Sequence, residues 1–116
     1  MTNQQKLELA WAAGFWDGEG YTQLRDRDPK DNPRNRKAWQ MTVSQIERTT
    51  LDRFLAAVGV GKVYGPYGPY QVNRQVYWNW TVSSKENCRI AADKMWPYLS
   101  EPKRLQIVNT GLYEGE

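Results

Sequence analysis

From Leu9 to Trp16 the chain reads LAWAAGFW, a run without a single charge inside a segment (4–18) whose apolar residues recur at helical spacing. Leu7, Ala10, Trp11, Gly14, Phe15 and Gly18 define one buried face, and Leu9, Ala12, Ala13 and Trp16 define a second. A helix that is apolar on every side must be covered on every side. A chain of 116 residues builds one hydrophobic core. The first face covers that core, and the second needs a partner, most economically another copy of the chain. Gly14 and Gly18, four apart and beside Ala13, would let two helix backbones approach closely. Ala13, Gly14 and Gly18 are therefore the expected interface residues, the competing reading being the central helix of a monomer. Thr2 and Gln5 stand at capping-box spacing at the start of this helix, and Gly18 and Gly20 break it at its end.

Beyond the helix the period changes to two. Tyr21, Gln23, Arg25 and Arg27 fall on one side of a strand, with Thr22 and Leu24 on the other. The segment DPKDNPRN (28–35) is a loop, and the return strand from Arg36 to Gln45 turns Trp39, Met41 and Val43 inward and Arg36, Ala38, Gln40 and Thr42 outward. Thr49 or Thr50 caps a short helix through Leu51, Phe54, Leu55 and Val58, with Gly59 as its stop. Lys62–Tyr64 and Gln75–Val82 form a second hairpin around GPYGPYQVN (65–73), with Trp78, Trp80 and Val82 on one face. Ser83 and Glu86 open a third helix that ends at Pro97, and Ser100 and Pro102 open a last one carrying Leu105, Val108 and Leu112. The order α-β-β-α-β-β-α-α describes a single α+β domain over 1–116, with four antiparallel strands and helices on one face.

The other sheet face is left polar, aromatic and basic. Tyr21, Gln23, Arg25, Arg27, Arg36, Gln40, Thr42, Tyr64, Arg74 and Tyr77 are its candidate contacts to double-stranded DNA, because amide and guanidinium groups match the donor and acceptor pattern of a major groove. Charge agrees locally: residues 25–37 hold six basic side chains against three acidic ones. There is no histidine, which excludes imidazole bases and ligands and serine–histidine triads. Any catalysis runs on carboxylates, lysine or bound metal. The lone Cys88 cannot form an intrachain disulfide. No apolar run is long enough for a membrane span and the N-terminus lacks a signal-peptide pattern. The expectation is a protein that is not secreted, working in the cytoplasm, an organellar matrix or a phage-infected cell.

The segment AAGFWDGEG (12–20) resembles the nine-residue signature of the LAGLIDADG homing endonucleases: Ala13, Gly14, Asp17, Gly18 and Gly20 match it, Phe15 and Trp16 are its hydrophobic pair, and Glu19 stands for the usual second aspartate. The resemblance continues through VSQIERTTLDRFLAAVGVGKVY (43–64) and WPYLSEPKRLQ (96–106). It implies the αββαββα fold of that family with a saddle-shaped antiparallel sheet. It also implies a homodimer of single-motif chains, and intron-homing cleavage of both strands at a long, roughly palindromic DNA site. Mg2+ or Mn2+ would be held by Glu19 and the backbone carbonyl of Gly18. Gln45 matches a water-ordering position and Lys103 the basic residue of the active site, with Arg104 as its competitor; Asp17 is expected in a capping or structural role. The alternative within the resemblance is a catalytically silent nucleic-acid-binding protein, either an intron-RNA splicing cofactor or a transcriptional regulator. A monomeric protein-interaction domain is the third reading.

Overall fold

The computed structural model describes residues 1–26, 37–69 and 75–114. The capping box forms as its spacing predicts: Thr2 Oγ1 accepts from Gln5 N at 3.1 Å and Gln5 Oε1 accepts from Thr2 N at 2.7 Å, starting α1 (Asn3–Glu19). The helix ends where Gly20 becomes extended and donates its N–H to Trp16 O at 2.8 Å. A Cβ at Gly20 would fall 2.0–2.4 Å from atoms of the Trp16 indole. Only glycine lets the chain leave α1 across that ring.

Four strands follow the two-residue period: β1 (Tyr21–Asp26), β2 (Lys37–Gln45), β3 (Lys62–Tyr67) and β4 (Tyr77–Ser83). They form one antiparallel sheet in the order β1-β2-β4-β3. Pro66 is accommodated because β3 is an edge strand, irregular between Tyr64 and Tyr67. Residues of one parity, Thr22, Met41, Val43, Trp80 and Val82, are buried beneath α1, α2 (Arg48–Val58) and α3 (Lys85–Met95). At the centre Phe54 meets Trp80 edge-on at 4.7 Å between ring centres, and Trp16 lies 6.0 Å from Phe54 and 5.9 Å from Trp80. Such offset and edge-to-face pairs add about 0.5–1.5 kcal/mol each beyond the area they bury. A 3₁₀ turn (Trp96–Tyr98) leads into α4 (Glu101–Asn109), tied to the sheet by a hydrogen bond from Trp39 Nε1 to Thr110 O at 3.1 Å.

The two faces of α1 are exchanged relative to the sequence reading. Leu9, Ala12, Ala13 and Trp16, expected at a partner, lie in the chain's own core, while Leu7 is 64% exposed and Gly14 and Gly18 face outward. On the outward side Gly14 and Gly18 have no side chain to bury, while Trp11 and Phe15, from the face expected inside, keep part of their surface against the core. Trp11 and Phe15 are half-buried and stack together at 5.6 Å, with the Arg53 guanidinium 3.8 Å above Trp11.

Smaller differences concern caps. Glu47, not Thr49 or Thr50, precedes α2, without a side-chain cap; Gly59 closes the helix with φ of 81° as expected. Ser84 rather than Ser83 caps α3, its Oγ accepting from Asn87 N at 3.1 Å. In α4 Leu105 and Val108 point to solvent, and Ile107 is the residue it buries, joined by Leu112 just beyond it.

Candidate active site and nucleic-acid face

Glu19 is the last residue of α1 and is exposed; among the described residues no hydrogen bond or ion pair engages its carboxylate. The carbonyl of Gly18 belongs to the final turn, where carbonyls have no partner further along a helix. Asp17, on the other side of the helix, is already committed. Its carboxylate accepts from Ser100 N at 3.1 and 3.2 Å and from Ser100 Oγ at 3.0 Å, holding the N-cap of α4 against the end of α1. This matches the structural role expected of it.

The two basic competitors separate cleanly. Lys103 Nζ donates to Gly20 O, one residue from Glu19, and reaches Gln106 Oε1 at 3.4 Å. Arg104 Nε donates to Trp96 O at 3.0 Å, with its guanidinium 5.6 Å from the Trp96 ring centre. The lysine therefore carries positive charge to the tip of α1, and the arginine fastens the 3₁₀ turn. Gln45, half-buried at the end of β2, lies three residues past Thr42, the partner of Tyr21. That puts it at the same end of the sheet as Glu19, about 10 Å along the strand from that pair.

The donors at this end are all oxygens, which suits Mg2+ or Mn2+. No group of three or more metal-ligating side chains gathers among the described residues. With Asp17 occupied, Glu19 is the free carboxylate at the tip of α1 among the described residues, so it and the Gly18 carbonyl would fit a divalent ion only as part of a shell completed by water, phosphate or a second copy.

On the face away from the helices, three cross-strand rows are polar, one of them from edge to edge. Tyr21, Thr42, Thr81 and Lys62 line up across all four strands; Gln23 and Gln40 pair beside Ser83; Ser44, Asn79 and Tyr64 form the third row. Side chains within these rows are joined: Gln23 Nε2 donates to Gln40 Oε1 at 2.6 Å, the Thr42 and Thr81 hydroxyls are 3.1 Å apart, and Ser44 Oγ donates to Asn79 Oδ1. Tyr21, Arg25 and Tyr64 are exposed, and Tyr77 packs against Tyr67 at 5.6 Å. Arg27, Arg36 and Arg74 lie outside the described residues.

Solved structures share this architecture. The homing endonuclease I-CvuI, crystallised with its target, matches with a TM-score of 0.71 over 95% of this chain and 68% of its own, at 21% identity. The group I intron-encoded homing endonuclease I-CeuI, complexed with DNA, matches at 0.70 over 95% and 53%, with 14% identity. The LAGLIDADG meganuclease I-AabMI, bound to uncleaved DNA, matches at 0.63 over 89% and 35%, with 19% identity. The chain has the LAGLIDADG homing-endonuclease fold. No family model and no curated protein matches the sequence.

Within the LAGLIDADG fold, residues 12–20 make up the second half of α1 and its exit into β1, so Glu19 stands at the junction of helix and sheet. Of the expected interface residues, Ala13 is fully buried in its own core, whereas Gly14 and Gly18 would have nothing within 4 Å of an added Cβ. Ser44, Asn79, Thr81 and Lys62 belong to the polar face but were not among the residues expected there. Strand alternation carries the signal for them, since they share parity with Gln40, Thr42, Tyr77 and Tyr64. A cleft of about 280 Å³ between α1, α2 and Lys94 is lined by Gln5, Glu8 and Arg53. It opens at the opposite end of α1 from Glu19, about 20 Å away at 1.5 Å per residue, and takes no part in the site. Among the described residues no helix is long and apolar enough to cross a membrane.

Proposed function

We propose that the chain is a site-specific endonuclease that cleaves double-stranded DNA as a homodimer, each copy contributing one Glu19 to a site that uses Mg2+ or Mn2+. The observation that carries this is the free Glu19 carboxylate at the exposed tip of α1, beside the Lys103 ammonium and at the edge of a polar sheet face. The fold shared with endonucleases crystallised on DNA supports it. A divalent ion there would activate water and stabilise the leaving oxygen of a phosphodiester. Lys103 would hold positive charge against a phosphate, and Gln45 would orient water. The polar face would supply groove contacts through Tyr21, Gln23, Arg25, Gln40, Thr42, Tyr64 and Tyr77, joined by Arg27, Arg36 and Arg74.

The dimer seam in this proposal is the outward stripe of α1, Leu7, Gly14 and Gly18, flanked by half-buried Ala10 and Trp11. Its bare glycine backbone allows close approach of a second helix. The test is cleavage of a randomised duplex library by the purified chain with Mg2+ or Mn2+, compared with Glu19→Gln, together with sedimentation. Cutting that disappears in Glu19→Gln, by a dimer, is the expected result; a monomer, or identical behaviour of both proteins, overturns the proposal.

A further inference from the structure

The polar face contains two carboxamides whose oxygens are already engaged inside the sheet. Gln40 Oε1 accepts from Gln23 Nε2, and Asn79 Oδ1 accepts from Ser44 Oγ. Both pairs sit on the side opposite the core, since Met41, Val43, Trp80 and Val82 of alternate parity are buried. Gln23, Gln40 and Asn79 are half-buried and Ser44 is exposed. An amide whose oxygen faces its neighbour turns its NH2 the other way, so Gln40 and Asn79 lead with donors, while Gln23, which gives its NH2 to Gln40, leads with its oxygen.

We propose that Gln40 and Asn79 determine base preference as hydrogen-bond donors, with Gln23 and Ser44 acting as positioning residues that fix which way each amide points. This rests on the reading of the sheet face as a DNA surface. In the major groove guanine presents only acceptors, O6 and N7, and cytosine presents a donor, N4. An amide held with its NH2 leading favours guanine over cytosine. An unrestrained glutamine, by contrast, pairs with adenine through both its oxygen and its nitrogen. Residues 40 and 44, the second paired with Asn79, are four apart on β2, about 13 Å, so the two units address separate base positions.

Binding selections from randomised duplexes, run in EDTA so that binding is read without cleavage, test this with the full chain. Gln40→Ala and Asn79→Ala first locate the base positions each residue governs, as those where selectivity collapses. At the Gln40 position the parent should prefer guanine over cytosine by roughly tenfold. Gln23→Glu can only accept, so it should force Gln40 to turn its NH2 inward and reverse that preference, although residue 40 is unchanged. Gln23→Ala should flatten it, and Ser44→Ala should flatten the Asn79 position while leaving the Gln40 position as in the parent. Unchanged preference at the Gln40 position in Gln23→Glu, or a uniform loss of affinity with the preference intact, overturns the inference while leaving DNA recognition standing. A parent that selects no duplex removes DNA recognition as well. Thermal unfolding of each variant confirms that a folded protein is being compared.

Discussion

Replacing Asp17 by alanine removes the group that closes the N-terminus of α4. Two donors lose their acceptor, the Ser100 N–H and the Ser100 hydroxyl. Hydrogen bonds to a charged group contribute about 1.5–3 kcal/mol each, and loss of an N-terminal cap typically costs about 1 kcal/mol. Asp17 is only half-buried, so water recovers part of this, and a net cost of about 2 kcal/mol is expected. For 116 residues, with an unfolding entropy of about 2.1 cal/mol/K per residue, that lowers Tm by about 8 °C. Urea and thermal denaturation followed by circular dichroism measure both. Asp17→Asn keeps one oxygen and should lose about half as much. If Asp17→Ala unfolds within about 0.5 kcal/mol of the parent while metal-dependent cleavage vanishes, the carboxylate works at a metal and its assignment to the α1–α4 junction is wrong.

Gly20→Ala drives a Cβ into the Trp16 ring and should cost about 1–3 kcal/mol or more in urea denaturation, as overpacking does. Gly14→Ala and Gly18→Ala meet open space, so each should leave the folded chain unharmed or raise its stability by up to about 1 kcal/mol, while sedimentation should reveal weaker self-association. Lys103→Met should reduce cleavage by at least about tenfold with duplex affinity retained, the scale of one lost electrostatic contact in a transition state. Arg104→Met should instead lower stability through the 3₁₀ turn and spare cleavage. Burial pushes the Cys88 thiol up to about 11 from 9.0, so it stays protonated and unreactive towards iodoacetamide in the folded chain at pH 8. Because the folded form holds its proton more tightly, this group's contribution to stability is complete below about pH 9 and is lost as pH rises towards 11, readable as a falling urea midpoint.

Element order and strand faces are legible in the sequence because the period of two holds along β2 and β4, where Met41, Val43, Trp80 and Val82 need burial. The orientation of α1 is not legible from polarity, since a run apolar on every side has no preferred face. Packing decides it: Leu9 and Trp16 enter the core, Trp11 and Phe15 lie half-buried at its rim, and Gly14 and Gly18, with no side chain to bury, face out. Likewise Leu105 and Val108 are as hydrophobic as Ile107, and only the docking of α4 through Asp17 and Thr110 selects which is covered. Glu19 is singled out by its motif, and its place at the exposed tip of α1 follows from where that motif ends the helix. The division of labour between Lys103 and Arg104 depends on contacts with Gly20 and Trp96 across some 80 and 8 residues, respectively, which spacing cannot resolve.

The ring of Trp16 touches both worlds of this molecule. One face belongs to the aromatic cluster with Phe54 and Trp80, and another lies directly under Gly20, the residue after Glu19 and the anchor of Lys103. Variation in that cluster would tilt the indole and carry Glu19 and Lys103 with it, so the interior and the tip of α1 are obliged to change together. The polar rows of β1, β2 and β4 project from the opposite side of the sheet, where their side chains are linked to one another. Under the proposed function, a chain built this way could take a new target by changing its sheet surface while the end that carries Glu19 stays fixed.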